Sequence, residues 1–115
     1  MEITAKQAGD VTVLTLNGRL DLSSGSALKE QIKSLFEEEK NSVHLNLSQV
    51  EFINSSGLGA LVSIMKEVRL RKGRLTLSDL ASYVQEIFDI TQLSHIFEIF
   101  GTQDEALNSY QSVQA

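Results

Sequence analysis

Two periodicities alternate along this chain. Val11, Val13, Leu14 and Leu16, and later Val43, Leu45 and Leu47, mix with polar residues in the rhythm of a half-buried strand. Leu75 and Leu77 about Thr76, and the run Ile96-Phe97-Glu98-Ile99-Phe100, predict two more strands. Between them the apolar residues switch to helical spacing: Ala27, Leu28, Ile32, Leu35 and Phe36, then Leu58, Leu61, Val62, Met65 and Val68. Val84, Ile87 and Phe88 predict a short third helix, and Ala106, Leu107 and Tyr110 a terminal one. Residues 3–6 add a first, edge strand, set off by the turn Gln7-Ala8-Gly9-Asp10.

Capping chemistry sets the boundaries. The stretch from Asn17 to Gly25 reads as a loop in which Ser23 or Ser24 caps the first helix. The second helix is expected from about residue 56 to 71, with Gly73 as its C′ residue. Lys66, Arg69, Arg71, Lys72 and Arg74 then complement the dipole at that helix end. Thr102 or Asp104 starts the last helix. The order is β-β-α-β-α-β-α-β-α. Strands alternating with helices imply right-handed crossovers, hence an α/β fold: a small, mostly parallel mixed sheet with one antiparallel strand at its edge. With no proline and no Gly/Ser-rich linker, residues 1–115 read as a single domain.

Composition narrows the function classes. A chain of 115 residues buries roughly 65% of its unfolded surface and needs no covalent staple. It has no cysteine to make one, which excludes disulfides and thiolate metal sites and suits a reducing cytoplasm. Two histidines, His44 and His95, are too few for a histidine-built metal site. A net charge of −5 argues against bulk nucleic-acid binding. No apolar run approaches the length of a membrane span, and residues 1–6 lack the apolar core of a signal peptide. The expectation is a cytoplasmic protein, monomeric when free, with no metal, cofactor, nucleic-acid or membrane partner.

The candidate chemistry lies in Phe52-Ile53-Asn54-Ser55-Ser56-Gly57-Leu58-Gly59, a polar turn joining a strand to the first turn of a helix. The first N–H groups of a helix have no intrahelical partner, and the macrodipole adds partial positive charge there. A neutral serine is well capped in that place, and a phosphate on it is well seated. Two hydroxyls exceed what one cap needs, and an apolar Leu58 beside them suits a switchable protein interface. Enzyme chemistry is not supported. The Gly-x-Ser-x-Gly elbow fails at both serines, neither histidine has an evident base role, and no Gly-x-Gly-x-x-Gly or Walker loop is present. No residue is assigned as catalytic.

The same residues resemble a known family. Asn54-Ser55-Ser56-Gly57-Leu58-Gly59 is similar to the Asp-Ser-Ser/Thr/Ala-Gly-Leu-Gly signature of STAS domains, specifically the bacterial anti-sigma factor antagonists. Gly18-Arg19-Leu20-Asp21 resembles the Gly-x-Leu/Ile-Asp element that closes the second strand of that fold. Residues 45–53, 75–77 and 87–93 are similar to its other segments, so the likeness covers essentially the whole chain. Asn54 stands where the family signature has Asp. The resemblance implies an unmodified form that binds an anti-sigma factor, itself a serine kinase of the GHKL type, and so releases a sigma factor. It implies phosphorylation on Ser55, with Ser56 a weaker candidate, loss of the complex on modification, and a PP2C-type phosphatase that reverses it.

A parallel sheet brings its strand-to-helix connections to one end. Asp21, Ser23 and Ser24 should therefore join Asn54, Ser55, Ser56, Gly57, Leu58 and Gly59 in one partner-facing patch. Gly57 and Gly59 are expected to admit a partner's backbone, and Leu58 to anchor it. Two rival readings keep the fold. One is a non-switching STAS scaffold or complex subunit, marked by binding indifferent to Ser55→Asp. The other is a nucleotide-binding STAS module, marked by thermal stabilisation with a nucleotide.

Overall fold

The computed structural model describes residues 1–112. In chain order the elements are β1 (Glu2–Ala8), β2 (Val11–Leu20), α1 (Leu22–Glu37), β3 (Ser42–Ile53), α2 (Ser55–Leu70), β4 (Arg74–Ser78), α3 (Ser82–Ile90), a 3-10 turn (Leu93–His95), β5 (Glu98–Phe100) and α4 (Gln103–Ser112). The strands form one five-stranded sheet in the order β1-β2-β3-β4-β5. β1 runs antiparallel to β2, and the other neighbours are parallel. This is the mixed α/β sheet that the alternating periodicities predict.

Alternation along the strands assigns the two faces. Leu14 and Leu16 of β2, Val43, Leu45 and Leu47 of β3, and Leu75 and Leu77 of β4 are buried in one cluster with Leu28 and Ile32 of α1 and Leu61, Ile64 and Val68 of α2. The intervening residues His44, Thr76 and Ser78 face the other way, and α4 covers them: the Tyr110 hydroxyl lies 3.0 Å from Thr76 Oγ1, and Asn46 Nδ2 donates to Gln103 Oε1 at 2.8 Å. His44 is thus a packed interior residue, with none of its surface exposed.

Several boundaries differ from the sequence reading. The expected loop over residues 17–20 is strand, and β3 continues past Leu47 to Ile53. Each extension is the other's partner: Asn17 pairs with Gln49, Gly18 with Val50, Arg19 with Phe52 and Leu20 with Ile53, across two register shifts. The cap of α1 is Asp21, not Ser23 or Ser24; its side chain accepts the Ser24 N–H at 3.1 Å, and Ser24 Oγ accepts the Asp21 N–H at 2.9 Å. Gly73 is not the C′ residue of α2. Lys72 takes that place at φ 57°, and the Gly73 N–H reaches Val68 O at 2.9 Å, closing a Schellman motif. Gly73 is glycine for a different reason: a Cβ there would lie 2.2 Å from the Asn41 carbonyl oxygen. The turn before β2 is only Gly9-Asp10. Ala8 still pairs with Val11, and Gly9 at φ 61° suits the first central position of a type II′ turn. The 3-10 turn over Leu93–His95 carried no periodicity to read.

Candidate docking site at two helix N-termini

β2 and β3 end side by side, Leu20 opposite Ile53, and each feeds a helix. The N-termini of α1 and α2 are therefore neighbours. Two glycines set how closely they pack. A Cβ on Gly25 would lie 2.7 Å from Cβ of Ala60, and a Cβ on Gly57 would lie 2.2 Å from the Leu20 carbonyl oxygen. The Asn54 N–H donates to that same carbonyl at 3.3 Å.

At the α2 end, Asn54 is extended (φ −117°, ψ −177°), and its Oδ1 accepts the Gly57 N–H at 2.9 Å. The amide does the capping, so neither serine is needed for it. Ser55 and Ser56 are exposed in the first turn, and neither hydroxyl has a hydrogen-bond partner among the described residues. Their backbone N–H groups also lack an acceptor there, the state expected of the first helical turn. Two free hydroxyls thus stand over two free N–H donors at the positive end of a 16-residue helix.

At the α1 end, the Ser24 backbone N–H and then its hydroxyl hold the Asp21 carboxyl below its ordinary value, with Arg19 adding to the effect. Asp21 is therefore anionic at neutral pH. The Arg19 guanidinium lies over the Phe52 ring, its carbon 4.0 Å from the centroid. Beside them Leu22, the first residue of α1, is 70% exposed.

The residues expected in the patch divide. Asp21, Ser23, Asn54, Ser55, Ser56 and Gly59 reach the surface at this end, and Leu58 is half-buried, leaning on the core. Ser24 and Gly57 do not belong to the exposed face. Ser24 is buried, its hydroxyl oxygen 2.7 Å from the Arg19 carbonyl and 3.1 Å from Asp21 Oδ1, and Gly57 is buried against Leu20. The close backbone approach at Gly57 is internal, between α2 and the end of β2, and not toward a partner. Gly59 has open space where a Cβ would go. The loop from Asp21 to Gly25 expected in the patch contains Leu22 without singling it out, and the Arg19–Phe52 stack was not expected. An apolar residue directly after a capping Asp was the available signal for the first. The second required knowing that β2 and β3 run on together. Among the described residues no His/Asp/Glu cluster is arranged to hold a metal, and no helix is long and apolar enough to cross a membrane.

A STAS domain family model matches residues 2–106. The chain belongs to the STAS domain family. Within it, the chain is 29% identical over 99 residues to the anti-sigma-B factor antagonist of Bacillus subtilis, covering 86% of this chain and 90% of that one. A crystal structure of the Thermotoga maritima protein TM1081 superposes with a TM-score of 0.87 at 28% identity, over 93% of this chain and 92% of the other. The Bacillus cell-fate determinant SpoIIAA in its phosphorylated form shares the fold, with a TM-score of 0.73 at 20% identity, over 95% and 99% of the two chains. The chain is a STAS domain of the anti-sigma factor antagonist kind.

Proposed function

We propose that this STAS domain docks an anti-sigma factor through the paired N-termini of α1 and α2, and that phosphorylation of Ser55 ends the complex. The partner is a GHKL-type serine kinase that holds a sigma factor, and a PP2C-type phosphatase returns the domain to its binding form. The observation that carries this reading is the Ser55 hydroxyl: exposed, free of any capping duty, and seated over unpaired N–H donors. The domain acts by binding and carries out no chemistry of its own.

The switch follows from charge. A phosphate adds about −1.5 to −2 at neutral pH. In the free protein the N–H groups of Ser55 and Ser56 and the dipole of α2 stabilise it. Covered by a partner it loses water without gaining a matching cation, a cost of several kcal/mol. A loss of about 3 kcal/mol already lowers affinity more than a hundredfold. No unfolding is required, because nothing in the core rests on either serine hydroxyl.

The test is incubation with the kinase and ATP, followed by peptide mass mapping and binding measurements. Phosphate is expected on Ser55, with Ser55→Ala retaining the complex and Ser55→Asp losing it. Phosphate found only elsewhere, or tight binding by Ser55→Asp, refutes the switch.

A further inference from the structure

β1 is an open edge whose sequence matches itself in reverse. It has seven residues in unbroken register with β2, from Glu2 opposite Asn17 to Ala8 opposite Val11. It carries none of the bulges or prolines that usually blunt an edge strand. The opposite edge, β5, is only three residues long. The two-residue turn at Gly9-Asp10 makes Ala8 and Val11 a hydrogen-bonded pair. Alternation then turns the N–H and C=O groups of residues 2, 4, 6 and 8 inward to β2 and leaves those of Ile3, Ala5 and Gln7 pointing outward.

We propose that this edge pairs with β1 of a second copy of the chain, antiparallel, about a two-fold axis at Thr4. Only registers that join outward-pointing residues can form the ladder, and this one places Ile3 opposite Ala5 of the second copy and Ala5 opposite its Ile3. Thr4 faces Thr4. Glu2 faces Lys6 of the second copy, and Lys6 faces its Glu2. The charged pairs fall at non-hydrogen-bonded positions, where facing side chains are closest. Within one copy both Glu2 and Lys6 are exposed, and neither has an ion-pair partner among the described residues. The single lysine that would guard the edge is thus neutralised by the same strand of the second copy. Two five-stranded sheets become one of ten strands. The two-fold axis points the docking ends of the protomers in opposite directions, so pairing leaves both docking sites open.

Sedimentation equilibrium from micromolar to millimolar protein tests this directly. The chain is expected to shift from monomer toward dimer as concentration rises. Glu2→Lys and Lys6→Glu are each expected to raise the dimer Kd by about tenfold or more, because each sets like charges opposite at both symmetric places. An equal mixture of the two variants restores association. The first variant carries lysine at both positions and the second glutamate at both, so every facing pair in the mixed dimer has opposite charges. All substituted side chains are exposed, and circular dichroism checks that each variant stays folded. A wild-type chain that remains monomeric at millimolar concentration overturns the proposal. So does a dimer indifferent to both variants, or a mixture that fails to associate.

Discussion

Two glycines of one signature do different physical jobs. Gly57 sits where the Leu20 carbonyl and its own helix need the same space, so a Cβ there meets backbone at 2.2 Å. Gly59, two residues on, meets nothing within 4 Å. Gly57→Ala is therefore expected to destabilise the domain by about 1–3 kcal/mol in denaturant unfolding, because a strand end or a helix must shift. Gly59→Ala, in an exposed helical position, is expected to stabilise it by about 0.5–1 kcal/mol. If a partner's backbone rests on Gly59, the same substitution weakens binding while stability rises, an opposition that separates contact from folding. The motif alone marked both glycines as special. It could not distinguish them, because the atom that makes Gly57 obligatory belongs to Leu20, far away in sequence, and becomes a neighbour only once β2 and β3 pair.

Every strand and helix expected from periodicity is present, because burial on one side imposes its rhythm on the sequence. The ends were harder to read. Residues 17–20 and 48–53 are polar enough to resemble loops, yet each supplies the backbone partner of the other. Such mutual rescue leaves no local trace. Caps were legible in kind and misassigned by position: Asp21, Ser23 and Ser24 are all capping residues by type, and the extended backbone of Asp21 decides among them. Asn54→Ala is expected to cost about 1 kcal/mol, since the Gly57 N–H loses its acceptor. Asn54→Asp keeps that acceptor and adds a negative charge at the helix N-terminus, and so is expected to gain about 0.3–1 kcal/mol. Thermal unfolding at low ionic strength resolves the pair. An Asn54→Asp variant less stable than wild type shows that the amide nitrogen, and not only Oδ1, supports the turn.

The assembled sheet creates one feature that no single segment carries. His44 on β3 sits between Thr76 and Ser78 of β4, with Nδ1 2.7 Å from Thr76 Oγ1 and Nε2 2.7 Å from Ser78 Oγ. Ser78 donates its own proton to Asp79 Oδ2 at 2.6 Å, so it must accept from Nε2–H. Nδ1 faces the Thr76 hydroxyl, which lies 3.0 Å from the Tyr110 hydroxyl of α4, and Tyr110 in turn donates to the Val43 carbonyl at 3.1 Å. The ring is fully buried, which disfavours its charged form. Burial accordingly pushes the His44 pKa down from 6.5 to about 4, against a smaller upward pull from Asp79. In the unfolded chain the same imidazole takes up its proton near its ordinary value. The unfolded state therefore binds more protons between about pH 4 and 6.5, and stability must fall as pH falls through that window. Each pH step of one across the window removes at most about 1.4 kcal/mol, so the full effect is roughly 3 kcal/mol. Urea unfolding measured at intervals from pH 4 to 7 should show the slope. His44→Gln, uncharged throughout, should flatten it whatever its effect on stability at pH 7. A slope unchanged by that substitution assigns the acid sensitivity to other groups and removes His44 as its source.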